Sequence, residues 1–105
     1  MGDTSPASQI LLYIYQIGNN MNVNIELTDT FGGEANYSWV RRGMASCHKP
    51  TIRARVRAAK AWAGWQGMKC FIERIPDEYD TLVIRPRSGL CQIMFVSINE
   101  DNNNA

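Results

Sequence analysis

An alternation of apolar and polar residues begins at Met21 and constrains the fold of this chain more than any other feature of its sequence. The apolar residues occupy every second position: Met21, Val23, Ile25 and Leu27. Successive side chains of a β-strand point to opposite faces, so a period of two predicts a strand with one buried and one exposed face. The segment therefore requires a sheet with a hydrophobic layer against one of its faces.

A second alternating segment follows after a glycine pair. Gly32-Gly33 separates the first strand from residues 35–41, which alternate again. Because glycine adopts the positive φ angles that turns need, we expect the two strands to form a hairpin whose loop is longer than two residues. Residues 43–50 are expected to form the next connecting loop.

The segment from Thr51 to Ala63 is predicted to be a helix. Thr51 is a suitable N-cap, and Gly64 suits the end of the helix. Four residues fall in one narrow stripe at 100° per residue and are expected to form the core face: Ile52, Val56, Ala59 and Ala63.

Three further strands are predicted over residues 68–75, 80–86 and 90–98, with short turns between them. The apolar block at 10–17 predicts one more strand near the N-terminus, because it is rich in β-branched and aromatic residues. The resulting order is (β)ββαβββ. It indicates an α+β fold, an antiparallel β-sheet with one helix packed on a face.

Length and composition limit the class of protein. The 105 residues suit a single domain over 10–98, with a loose segment at 1–9 and a disordered tail at 99–105. A net charge of +1 gives no bulk attraction to nucleic acid or to an anionic membrane. No apolar run is long enough to span a membrane, and no signal peptide is recognisable, so we expect a cytoplasmic location without a membrane partner.

The densest positive cluster lies on the predicted helix. Arg53, Arg57 and Lys60 recur at helical spacing and share a face, with Arg55 beside them. One interpretation is a surface that faces phosphate groups, to which the arginine pair at 41–42 would add. The other interpretation is a solvated helix face, whose long side chains cover apolar surface with their stems.

Trp62 and Trp65 follow this cluster, and Trp39 lies on a predicted strand. Tryptophan and arginine dominate the energetic centres of protein interfaces, so these residues are candidate anchors for a protein partner. They are equally suited to covering one end of a hydrophobic core. The sequence leaves both alternatives open.

Candidates for catalysis or metal binding are few. Cys47 and His48 are adjacent in sequence, but neighbours rarely face one another and no third group orients them. A zinc site would combine them with Cys70 and Cys91, without any Cys-x₂-Cys spacing. The acidic residues at 77–80 are expected to form a hydrated turn. We therefore expect no enzyme activity, no cofactor and no metal.

The stretch DTFGGEANYSWVR, from Asp29 to Arg41, resembles a segment of short orphan reading frames of phages and prophages. The resemblance covers the first hairpin and implies no function or site residues. It implies only that the chain is similar to small accessory proteins that bind a host or phage macromolecule.

These observations predict a small non-enzymatic binding module. The first interpretation is a phage accessory or inhibitory protein that acts on a host or phage protein, and the alternative is a nucleic-acid-binding domain that uses the basic helix face. The candidate binding residues are Arg41, Arg42, Arg53, Arg57, Lys60, Trp62 and Trp65.

Overall fold

The structure is a computed structural model and describes residues 21–98. The predicted strand at 10–17, the loose segment at 1–9 and the tail at 99–105 lie outside the described residues.

The described residues form five strands and one helix. In chain order these are β1 (Met21–Phe31), β2 (Glu34–Cys47), α1 (Ile52–Ala63), β3 (Cys70–Ile75), β4 (Thr81–Pro86) and β5 (Gln92–Ile98). The strands form one sheet in the order β2-β1-β5-β4-β3, and every neighbouring pair is antiparallel. The predicted mixed α+β class and the antiparallel sheet are confirmed.

The predicted alternation of β1 is confirmed by its burial. Met21, Val23, Ile25 and Leu27 are at most 3% exposed, whereas Asn22 and its alternating neighbours face the other way. The buried residues belong to one hydrophobic cluster with side chains of β4 and β5, with Ala59 of α1 and with Trp65. Burial of one whole face explains why the period of two is so regular in this strand.

Strand β2 is longer than predicted, because Gly43 is part of the strand and not of a loop. Gly43 is paired with Ile25 of β1. A Cβ atom at this position would lie 2.5 Å from Nε1 of Trp62, so only glycine leaves room for the indole. The glycine therefore permits a close approach of the helix side chain to the strand, and it makes no turn.

Both predicted caps of α1 are present. The Thr51 hydroxyl accepts a hydrogen bond from the backbone N–H of Ala54 at 3.1 Å, and Gly64 has a φ of 77° at the C-terminal end. The predicted core stripe is wrong at Ile52, which is 37% exposed. The helix instead turns Arg55 inward, where this side chain is 2% exposed.

The orientation of α1 follows from a buried ion pair. Nη2 of Arg55 lies 3.2 Å from Oδ2 of Asp80, and Nη1 of Arg55 donates to the Asp80 backbone carbonyl at 3.2 Å. Nε of Arg74 donates to Oδ1 of the same carboxylate at 2.6 Å. Burial lowers the pKa of Arg55, and the negative charge of Asp80 opposes that shift. A cation is buried only where such a partner compensates for lost hydration, so this pair selects the buried face of the helix.

Two acidic residues of the turn between β3 and β4 have different roles. Asp80, expected in a hydrated turn, is 3% exposed. Asp77 is the turn former, because its carboxylate accepts hydrogen bonds from the backbone N–H groups of Tyr79 and Thr81, both at 3.1 Å. Partial burial raises the pKa of Asp77, but the hydrogen bonds from Thr81 and Tyr79 outweigh this and lower it.

Candidate functional site

The tryptophans at the end of α1 are already engaged within the fold. Trp65 is 4% exposed and belongs to the hydrophobic cluster. Trp62 is half-buried, and the Arg41 guanidinium lies 4.4 Å from the centre of its ring while Nη2 of Arg41 donates to the Trp62 carbonyl at 3.3 Å. A base or a partner side chain would have to displace Arg41 before it could stack in its place.

Two other candidate residues also have partners. Nε of Arg42 donates to Oε2 of Glu26 at 3.1 Å in a surface ion pair. The Lys60 ammonium donates to the backbone carbonyl of Met68. Of the predicted cationic binding residues, Arg53 and Arg57 are therefore the ones whose guanidinium groups have no hydrogen-bond, ion-pair or aromatic partner among residues 21–98.

Arg53 and Arg57 border a groove between the end of β2 and α1, which we name the basic groove. Its volume is about 650 Å³. Three cationic side chains and three small ones contribute to its lining: Lys49, Arg53, Arg57, Ala54, Ala58 and Ala61. None of the described residues that line the groove is acidic. A second hollow of about 390 Å³ lies beside Arg53, Arg57 and Lys60, so the arginines stand between two concavities.

Cys47 also contacts the basic groove but lacks the properties of a nucleophile. It is 4% exposed, and burial raises the pKa of its thiol, although Arg55 partly opposes the shift. An activated thiolate requires a shift in the other direction. Within residues 21–98, no group of three or more His, Cys, Asp or Glu side chains is placed to hold a metal ion.

A second surface lies on the β1–β2 hairpin, where the sequence indicated Trp39 as a candidate anchor but did not reveal the bulge or the exposure of Phe31 and Tyr37. The pairing of the two strands shifts between Thr28, which faces Val40, and Thr30, which faces Ala35. Residues 36–39 therefore bulge opposite the single residue Asp29. Such bulges redirect side chains and increase the local twist of a strand.

The Asp29 carboxylate holds this bulge. It accepts hydrogen bonds from Nδ2 of Asn36 at 2.9 Å, from the backbone N–H of Ser38 at 3.0 Å and from the Ser38 hydroxyl at 2.6 Å. These bonds, first those from the Ser38 and Asn36 side chains, hold the pKa of Asp29 well below its usual range. The ionised carboxylate of Asp29 therefore helps to hold the hairpin in this conformation.

Thr28 fixes the other side of the bulge. Its hydroxyl accepts a hydrogen bond from the Tyr37 N–H at 3.1 Å and donates one to the Trp39 carbonyl at 2.7 Å. Tyr37 has a φ of 56°, which is unusual for a bulky residue. Its phenol donates to Oε1 of Glu26 at 2.9 Å, and this bond raises the pKa of Tyr37.

The hairpin exposes three large aromatic side chains, which we name the aromatic hairpin. Phe31 is 80% exposed, Tyr37 50% and Trp39 41%. Nη1 of Arg85 donates to the Gly33 carbonyl at 2.6 Å and so ties the turn to β4. Asp29, Asn36 and Ser38 are residue types that bond to nearby backbone, and this composition was the available signal for an ordered bulge.

Within residues 21–98, no helix has both the length and the apolar character needed to cross a membrane. Comparison of the chain with protein families, with curated proteins and with solved structures gave no match.

Proposed function

We propose that the chain is a small non-enzymatic binding module that recognises another protein through the aromatic hairpin. The observation that carries this proposal is the exposure of Phe31 at the end of β1 and of Tyr37 and Trp39 on a bulge held by side-chain hydrogen bonds. Aromatic side chains supply most of the binding energy in many protein interfaces, so a partner that covers them gains a large apolar contact.

The frame of the hairpin favours binding because it is organised in advance. Association is opposed by the entropy lost when loops and side chains become ordered. The hydrogen bonds of Thr28 and Asp29 fix the backbone of residues 36–39 in the free protein. Less ordering is then left for the moment of binding, as in interfaces that present tyrosine and tryptophan on a rigid frame.

The backbone of Tyr37 gives a second reason. A left-handed conformation of a bulky residue costs of order 1–3 kcal/mol, and such residues cluster at binding sites and active sites. Tyr37 is itself half exposed, so the burial of its ring in a core cannot explain the conformation. The bulge holds this conformation through the hydrogen bond from the Tyr37 N–H to Thr28, and its position on an exposed aromatic surface supports a role in binding.

The partner in this proposal is a host or phage protein, and the chain acts as a phage accessory or inhibitory protein in the cytoplasm. The assignment to phage rests on the resemblance of residues 29–41 to phage reading frames, and both this assignment and the cytoplasmic location stay predictions. The argument from the aromatic hairpin does not depend on it.

Site-specific photo-crosslinking tests the proposal. A photoreactive phenylalanine analogue replaces Phe31 in one variant and Trp39 in another, and bacterial cells that express each variant are irradiated. We expect both variants to form an adduct with the same protein, identified by mass spectrometry. We also expect the adduct from position 31 to be lost when Trp39→Ala is added.

A matched variant carries the same analogue at Glu78, which is exposed on the turn between β3 and β4. It should give no such adduct. The proposal is wrong if positions 31 and 39 give no adduct, or if they give only the adducts that position 78 gives. Thermal melting of every variant verifies that the fold is retained.

A further inference from the structure

We infer that the basic groove is a second, separate binding site and that it holds the sugar-phosphate backbone of a single nucleic-acid strand. Lys49, Arg53 and Arg57 line the groove, and none of them makes an ion pair with another residue of 21–98. This site does not depend on the aromatic hairpin.

The groove brings together three cationic side chains without an ion-pair partner, whereas three other arginines among residues 21–98 are paired with carboxylates. Arg42 pairs with Glu26, and both Arg55 and Arg74 pair with Asp80. The first turn of α1 contains no acidic residue, so the positive end of the helix dipole adds to the same charge. A concave surface with one sign of charge concentrates ligands of the opposite charge.

The spacing of Arg53 and Arg57 along the helix suits the phosphates of one nucleic-acid strand. Arg53 and Arg57 are one helical turn apart, and roughly 6 Å of helix rise separates them, a distance comparable to that between neighbouring phosphates of one strand. A guanidinium can donate two parallel hydrogen bonds to a phosphate.

The size and lining of the groove favour one strand over a duplex. A volume of about 650 Å³ is in the range of sites for small ligands and suits one or two nucleotides. Ala54, Ala58 and Ala61 leave space where larger side chains would exclude a sugar. Because Arg41 covers Trp62 and Trp65 is buried, no tryptophan near α1 offers an open stacking surface. Binding should therefore depend on salt and tolerate any base sequence.

Fluorescence anisotropy with a labelled single-stranded oligonucleotide of roughly 12 nucleotides tests the inference between about 50 and 200 mM salt. Each neutralised phosphate of a single strand contributes about −0.7 to the slope of log affinity against log salt concentration, so three contacts predict about −2. Arg53→Glu with Arg57→Glu should weaken binding at least about tenfold and reduce the slope to about −0.7.

The matched control is Lys69→Glu with Arg87→Glu, which changes the net charge equally at exposed positions outside the groove. It should keep the slope near −2. Ala61→Leu fills part of the groove without changing charge or adding a ring on which a base could stack, and Ala61 is exposed, so this variant also reports on the groove if the double arginine variant fails to fold. It should weaken binding at least about tenfold.

Three results would overturn the inference. One is oligonucleotide binding that is absent at about 50 mM salt or independent of salt. Another is equal weakening by the groove variants and by the Lys69 and Arg87 control. The third is displacement of the oligonucleotide by polyglutamate at equal charge concentration, which would assign the groove to acidic proteins. Phe31→Ser with Trp39→Ala should leave oligonucleotide binding unchanged, so the two proposed sites can fail independently.

Discussion

The aromatic hairpin and the helix α1 both carry exposed candidate binding residues, but different forces hold them in place. At the hairpin, Thr28 and Asp29 fix the backbone through hydrogen bonds near the surface. At the helix, a buried ion pair between Arg55 and Asp80 and the contact of Trp62 with Gly43 fix the orientation. Changes to the frame of the helix should therefore destabilise the whole domain, whereas changes to the frame of the hairpin should alter its local shape.

The largest effect is expected for Arg55→Ala. This substitution leaves the Asp80 carboxylate buried with Arg74 as its remaining cation, and breaking a buried pair typically costs about 3–5 kcal/mol. Urea denaturation followed by circular dichroism measures the free energy of unfolding. Arg57→Ala, at an exposed position of the same helix, should change it by less than about 0.5 kcal/mol. If Arg57→Ala were the more damaging change, the described orientation of α1 would be wrong.

A moderate effect is expected for Gly43→Ala. The added methyl group would lie 2.5 Å from Nε1 of Trp62, so the indole or the strand must move. Overpacking of this kind typically costs about 1–3 kcal/mol. Urea denaturation measures the loss, and tryptophan fluorescence reports the displaced ring. Gly89→Ala is the control, because no atom lies within 4 Å of its added methyl group. Equal losses in both variants would mean that Trp62 does not press against Gly43.

The smallest global effect is expected for Asp29→Asn, together with a clear local effect. Hydrogen bonds to the carboxylate lower the pKa of Asp29, so its stabilisation is present above the unfolded pKa of about 3.9 and is lost as pH falls through the native pKa. Amide hydrogen exchange of Ser38 should accelerate in the wild type on acidification below about pH 4, beyond the intrinsic pH dependence. The Asn variant should show faster exchange at neutral pH and no such step. If the exchange of Ser38 depended on pH in the same way in both proteins, the Asp29 carboxylate would not hold the hairpin in place.

The sequence predicted those elements whose cause is local. The period of two in β1 reflects the burial of one face. Thr51 caps the start of the helix and Gly64 its end, each through hydrogen bonds to residues close by in the sequence. The features that it did not predict depend on distant partners. Arg55 is buried only because it forms an ion pair with Asp80, which is distant in the sequence. Gly43 is required only because the indole of Trp62 packs against it.

The same reasoning explains the outcome for the candidate sites. Helical spacing was enough to predict that Arg53 and Arg57 share an exposed face, because the exposure of these side chains does not depend on a contact with a distant residue. Trp65 could not be assigned to the core, since a tryptophan suits both a core and an interface. The bulge opposite Asp29 depends on a shift in strand pairing, and alternation along one strand does not reveal such a shift.

The position of β1 between β2 and β5 also has a consequence for how the chain folds during synthesis. β1 and β2 form a local hairpin, but the other edge of β1 pairs with β5, so that Val23 meets Ile98. Contacts between such distant parts of a chain close slowly, because much chain entropy is lost before they form. Until β5 emerges from the ribosome, the inner edge of β1 is an unpaired template that other strands can join. The same interior strand that joins β2 to the rest of the finished sheet is thus a segment exposed to misassociation while the sheet is incomplete.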